Sequence, residues 1–246
     1  MNITPPFAYR EIVPLLKTHR VVTPRGRGVP KVFQNLNAIP ISRVEFPVAA
    51  RDYPIVFVAS DGKRFAPVAV VGIEDGQNLF VLPGNEWEPA AYFPAYARRY
   101  PFCMAKVTVD GREQAQRLAC VETLSIHAKG DNLFDQAGNP TPTWVEREKL
   151  LFEYEQDLAR TEALCGVLAE LDLLEPMTMQ AKTPVGESLN LAGMHRVTEA
   201  RLAAVDHAKL RALFENGSVA RIYAHLLSLD NFPRLLERRA AARAAK

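Results

Sequence analysis

The chain of 246 residues has only three cysteines, Cys103, Cys120 and Cys165. They are odd in number, widely spaced and flanked by apolar neighbours, which excludes a paired disulfide framework. Without a C-x-x-C pair there is no zinc knuckle either. Reduced thiols in a cytoplasmic protein are the expectation, and Cys103 meets Cys120 only if their strands pair. No apolar run reaches the ~20 residues that span a bilayer. The opening Met1–Pro6 lacks the basic and apolar regions of a signal peptide, so a soluble chain with no membrane span is expected. Charge of one sign is also missing: 30 basic residues face 28 acidic ones, for a net charge of +2. No global field draws in nucleic acid or an anionic membrane, and nucleic-acid binding is not expected. H-x-H, H-x-D and H-E-x-x-H are absent, so His195, Glu199 and His207 are not read as a metal site, and no cofactor is expected. G-x-G-x-x-G, a Walker A loop, G-x-S-x-G and the kinase set are absent too. This disfavours the commonest dinucleotide, nucleotide and α/β-hydrolase chemistries.

What is present is ordinary in bulk: 48% hydrophobic and 24% charged residues. That mixture can fill and clothe a globular core. Residues 1–32 read as a locally basic arm broken by prolines, a surface loop or a phosphate-binding segment. From Asn37 to Val121 short apolar runs alternate with turn signals. Ile55–Val58 ends at Asp61-Gly62, Pro67–Ile73 at Glu74-Asp75-Gly76, Asn78–Leu82 at Pro83-Gly84-Asn85, and Phe102–Val109 at Asp110-Gly111. Leu118–Val121 closes the set. This predicts an antiparallel meander. The period then changes. Thr143, with Glu146 as a capping-box partner, predicts a long helix over Trp144–Leu171, whose face carries Leu151, Tyr154, Leu158, Cys165 and Leu168. A small hairpin is expected for Met177–Gln180 and Ser188–Leu191, around Pro184-Val185-Gly186. A helical hairpin follows, His207–Glu215 and Ser218–Leu229, parted by Asn216-Gly217. Leu235–Lys246 has helix propensity but little apolar face, which predicts a fraying end. The expected fold is α+β, an antiparallel sheet packed against a long helix and a C-terminal helical hairpin. One domain over 33–233 is expected between the arm and a basic helical tail, 234–246.

Four boxes carry the candidate functional residues. Arg51-Asp52-Tyr53-Pro54 offers a guanidinium, a carboxylate and a phenol at a strand entrance. They form either a grip on a carboxylate or phosphate ligand or an Arg–Asp pair that fixes the turn, with Tyr53 packed. Tyr92-Phe93-Pro94-Ala95-Tyr96 runs into Arg98-Arg99-Tyr100-Pro101-Phe102. Adjacent arginines face different ways in an extended chain, so at most one faces a pocket, with Tyr96 and Tyr100 available for stacking. His225, in Tyr223–Leu229, is either a general base or a hydrogen-bonded core residue.

These boxes, with Asn37-Ala38-Ile39-Pro40, Glu45-Phe46-Pro47, Leu133-Phe134-Asp135 and Leu173-Leu174-Glu175-Pro176, run in order over most of the chain. In this pattern the sequence resembles the bacterial SapC family, not the peptide-transporter permease of the same name, which is a membrane protein. The resemblance implies an accessory or binding protein, not an enzyme, associated with a surface layer or with outer-membrane nutrient uptake. It implies as partners a protein, such as a flavin-dependent halogenase-like enzyme or an uptake component, or a small-molecule ligand; a homo-oligomer also fits. The alternative is an enzyme, or an enzyme's partner, with a pocket built from Arg51, Asp52, Tyr53, Arg98, Arg99 and His225. The resemblance brings no catalytic residues with it.

Overall fold

The computed structural model of the chain describes residues 2–60, 64–105, 107–109, 112–113, 117–182 and 188–244. The expected turns at Asp61-Gly62, Asp110-Gly111 and Pro184-Val185-Gly186 lie outside the described residues. The longer strands are β1 (Ile12–Pro14), β2 (Ala38–Pro40), β3 (Ile55–Ala59), β4 (Phe65–Val70), β5 (Phe102–Ala105), β6 (Leu118–Glu122), β7 (Leu174–Lys182) and β8 (Ser188–Val197). The helices are α1 (Lys31–Gln34), α2 (Phe46–Ala49), α3 (Ala95–Arg98), α4 (Pro142–Glu170), α5 (Glu199–Ala203), α6 (His207–Glu215), α7 (Ser218–Ser228) and α8 (Asn231–Ala244).

The fold is α+β, with antiparallel sheets, one long helix and a helical C-terminal part. A five-stranded sheet runs in the order β7-β8-β3-β4-β2, and every neighbouring pair is antiparallel. Ile55, Val56 and Phe57 are consecutive and all buried, so β3 is covered on both faces, as an unbroken apolar run requires. Helix α4 packs on β4, and α7 packs on β3 and β8. A smaller sheet, β1-β6-β5, encloses a second apolar cluster built around Val21, Phe102, Trp144 and Leu151.

The structure departs from the simple meander in the second half. The expected small hairpin is long: Leu174 pairs with Val197 and Lys182 with Ser188, and His195 of the same strand lies opposite Phe57 on β3. The C-terminal half thus completes the first-half sheet. Asn78–Leu82 contributes only Val81–Leu82 to a ladder. The Asn78 side chain accepts from the Phe80 N–H at 3.0 Å and donates to the Phe33 carbonyl at 2.9 Å. These bonds turn the backbone away from an extended path.

Helix α4 begins earlier than Thr143. Thr141 is its cap, accepting from the Trp144 N–H at 3.4 Å. Pro142 occupies the first turn, where its missing N–H costs nothing. Leu151, Tyr154, Cys165 and Leu168 are buried along one face, joined there by Asp157 and Thr161.

The proline-broken arm does not lie loosely on the surface. β1 pairs with β6, placing Val13 opposite Val121, and Ile12 and Val21 are buried. A Cβ on Gly130 would lie 2.5 Å from the Val21 nitrogen, so only glycine allows that approach. Prolines forbid long helices but tolerate short extended pairs, which is what this segment forms. The basic tail is likewise docked rather than frayed. In α8, Phe232 and Leu235 are buried, and Arg239 grips Glu74 through two hydrogen bonds of 3.0 and 2.9 Å. Such two-pronged, charge-assisted pairs are among the stronger polar contacts. Arg238 pairs with Glu88 at 3.1 Å and lies 4.4 Å from the Phe80 ring centroid, within cation–π range. An arginine-rich helix with little apolar surface is held here by acidic partners on the sheet domain.

Cys103 stands opposite Cys120 in the β5–β6 register, and both thiols are free and buried. Burial pushes the Cys103 and Cys165 thiols up to about 12 and that of Cys120 to about 11. The thiolate is the reactive form. A chromogenic disulfide reagent at pH 8 is therefore expected to label none of the three in the native protein and all of them in denaturant. Rapid native labelling would show that the thiols are reachable.

Candidate functional site

Glu45 is the hub of the polar interior. Its carboxylate is almost fully buried. Oε2 accepts from the Ser42 N–H (2.7 Å) and hydroxyl (3.0 Å), and Oε1 accepts from the Ala95 N–H (2.8 Å) and the Tyr92 hydroxyl (2.9 Å). One side chain thus joins the turn before α2 to the start of α3. Across from it, Asp157 on α4 accepts from the Val44 N–H at 3.0 Å, and Thr161 accepts from the Arg43 N–H at 2.9 Å. The other Asp157 oxygen has no hydrogen-bond partner among the described residues.

Arg98 ends helix α3 and Arg99 is its C-terminal cap in the same helical conformation, where a step of about 100° sends consecutive side chains apart. Arg98 is exposed and its guanidinium reaches the Tyr92 hydroxyl at 3.2 Å. Arg99 turns inward and is 4% exposed. Its guanidinium carbon lies 4.3 Å from the Tyr96 ring centroid, 4.5 Å from that of Tyr154 and 5.7 Å from that of Tyr9. This is an aromatic cage with no carboxylate in ion-pair range among the described residues, and its Nε is unpartnered. Ring quadrupoles take the place of a counter-ion, which is worth most where water is excluded. The cage is braced from outside: Tyr9 donates to the Phe102 carbonyl and Tyr96 to the Phe7 carbonyl, each at 2.7 Å. Burial pushes the Tyr9 and Tyr154 phenols above the ordinary tyrosine range, so both stay neutral. Tyr100 packs beside the cage against Tyr9 and Phe33.

The Arg51–Pro54 box is dispersed. Arg51 is exposed and donates to the Val48 carbonyl at 3.3 Å; no Arg51–Asp52 ion pair forms among the described residues. Asp52 instead accepts the Tyr92 N–H at 2.8 Å. Tyr53 is fully buried, accepts from the Trp87 indole at 3.0 Å and donates to the Tyr92 carbonyl. Tyr92 is thus where the two boxes meet.

His225 lies apart, on α7. It is 0% exposed, and its Nε2 accepts from the Val197 N–H at 3.0 Å. A nitrogen that accepts carries no proton, so the proton of the neutral ring sits on Nδ1. Nδ1 donates to the Ile55 carbonyl at 2.7 Å. The ring ties α7 to β8 and β3. Burial drives its pKa down to about 4, leaving it neutral at physiological pH.

The SapC family model matches residues 17–235. The chain belongs to the SapC family. No curated protein and no solved structure matches it.

In this SapC chain a partly enclosed hollow lies elsewhere, between β4 and α4. It encloses about 400 Å³, with Tyr154, Thr161, Cys165 and Gly166 on the helix side and Phe65 and Pro67 on the strand side. None of the candidate functional residues of the four boxes lines it, but Tyr154 forms both its wall and one face of the Arg99 cage. Sequence reasoning missed Tyr9, Glu45 and Asp157. Glu45 stood in a quoted box, and Asp157 follows Tyr154 at a spacing that puts both on one helix face. Among the described residues no group of three or more His, Cys, Asp or Glu is placed to hold a metal, and no helix is long and apolar enough to cross a membrane.

Proposed function

We propose that this SapC-family chain is a soluble, cytoplasmic and non-enzymatic accessory protein that binds a protein partner, in the service of a surface layer or of outer-membrane nutrient uptake. The observation that carries this reading is an apolar face on the helical hairpin α6–α7. Phe214 is 73% exposed and Leu227 69% exposed, with Tyr223 one turn before Leu227. Phe214 and Tyr223 share the wall of one groove with Leu202 and Leu210. Large apolar side chains gathered on a surface mark protein contacts more often than chance exposure does. The interior polar groups support the same reading: Glu45, Asp52, Tyr53 and His225 each make a hydrogen bond to a backbone group of a distant segment and so serve the fold.

The test is native mass spectrometry of the protein purified from its own host. A stoichiometric protein partner that is lost in Phe214→Ser/Leu227→Ser, with an unchanged melting temperature, upholds the reading. A protein that carries only a small molecule overturns it in favour of the second reading. That reading is an enzyme, or an enzyme's partner, whose ligand sits in the β4–α4 hollow, and one observation favours it. Gly166 faces that hollow with open space where a Cβ would stand. Gly166→Leu is then expected to expel the bound molecule without unfolding the helix, since glycine costs helices about 1 kcal/mol relative to alanine.

A further inference from the structure

A second, much smaller hollow of about 120 Å³ opens where the Pro24–Gly28 loop crosses α3 and α4, with Phe93, Arg98 and Arg147 in its walls. Its volume has room for about four waters, enough for one phosphate-sized group and too little for a nucleoside. Arg147 is half-buried and fixed in place: Nη1 donates to the Arg98 carbonyl at 3.0 Å and Nη2 to the Pro24 carbonyl at 3.2 Å. A guanidinium has five N–H donors, so Arg147 keeps several without a partner among the described residues. Arg98, from the next element, spends its guanidinium on a single hydrogen bond among the described residues, to the Tyr92 hydroxyl. Neither arginine meets a carboxylate in ion-pair range among the described residues. Glu146, next to Arg147 in sequence, is exposed and makes no ion pair with it. Burial, and to a lesser degree the charge of Arg98, pull the Arg147 pKa below its ordinary value, while Glu146 acts against this. Two like charges therefore share one small hollow with no acid in its walls to balance them. Gly26 lines the loop side, and a Cβ there would meet nothing within 4 Å.

We propose that this hollow is an oxyanion site in which Arg98 and Arg147 hold a phosphate or carboxylate group. Paired guanidiniums match the geometry of such groups and form short, charge-assisted hydrogen bonds with them. The site is separate from the α6–α7 face and independent of the reading given for it.

The test is thermal unfolding of the full chain with sodium phosphate, phenyl phosphate or sodium acetate, each against sodium chloride at matched ionic strength. A saturable rise in melting temperature with an oxyanion but not with chloride is expected, since a ligand that binds only the folded state stabilises it. Phenyl phosphate outperforming inorganic phosphate assigns the group to a larger phosphorylated ligand; parity assigns it to free phosphate; acetate performing best assigns a carboxylate. Arg98→Gln, at an exposed side chain, is expected to melt normally in chloride and to weaken oxyanion binding about tenfold, the loss of one charge-assisted contact. Arg98→Glu, which brings its own carboxylate, is expected to abolish the response. An equal response in wild type and Arg98→Gln, or none to any oxyanion at tens of millimolar, overturns the proposal.

Discussion

Replacing Glu45 with alanine is expected to lower the free energy of unfolding by about 4 kcal/mol, among the largest losses available to one substitution in this protein. The carboxylate satisfies two backbone N–H groups, Ser42 and Ala95, and two hydroxyls, Ser42 and Tyr92. Each buried donor left without an acceptor costs about 1–3 kcal/mol, and partial rearrangement of the hydroxyls reduces the sum. The same truncation frees α3, which carries Arg98 and is capped by Arg99, from the turn before α2. Glu45→Gln keeps the volume and one acceptor oxygen and is expected to lose roughly half as much. Urea denaturation of the three proteins measures this, as a shift of the midpoint at constant slope. A loss under about 1 kcal/mol for Glu45→Ala would mean that water replaces the carboxylate and that Glu45 does not hold this junction.

The second large effect is one of pH. His225 titrates near about 4 in the folded protein and near about 6.5 once unfolded. Between those values the unfolded chain binds the proton and the folded chain does not, so acidification favours unfolding. The stability contribution is fully present above pH ~6.5 and is lost as pH falls toward about 4, by about 3 kcal/mol in all. Burial explains the depression first, since a charged imidazolium in a region closed to water loses its hydration. Nε2 must stay bare to accept the Val197 N–H, and a second proton would have to share that site in a region closed to water. Glutamine has an acceptor and a donor at similar reach and does not titrate in this range. His225→Gln is therefore expected to hold α7 against β3 and β8 while flattening the stability curve over that same acid range. The difference between the two curves isolates His225 from the other titrating groups. Parallel curves would mean that the histidine is already protonated in the fold or open to water.

Much of the architecture was readable from local pattern. The period of Leu151, Tyr154, Cys165 and Leu168 marks a helix, because a spacing of three and four collects side chains on one face. Asp206 caps α6 through the Ala208 and Lys209 N–H groups. Gly217 takes φ +75° between α6 and α7, a left-handed conformation that ends a helix at little cost for glycine. The arm around Ile12–Val21 and the tail around Leu235–Arg239 were misread because their partners lie far along the chain. Arg239 reads as a solvated charge until Glu74 is placed beside it, and Ile12 as an isolated apolar residue until β6 supplies the ladder. The candidate site divides in the same way. Arg98 and Arg99 are expected to part company from their adjacency alone. Nothing local says that Arg99 goes inward, since Tyr9 and Tyr154 are separated from it by long stretches of sequence.

By itself the sequence determined the mixed α+β class, the long helix, the helical hairpin and membership of the SapC family, because each rests on periodicity, turn chemistry or ordered short boxes along the chain. The tertiary structure alone decided which charges are buried, which are paired and which remain free at a surface. Burial and ion pairing depend on residues brought together from distant segments, and the free energy of a charge depends on those neighbours rather than on its place in the chain.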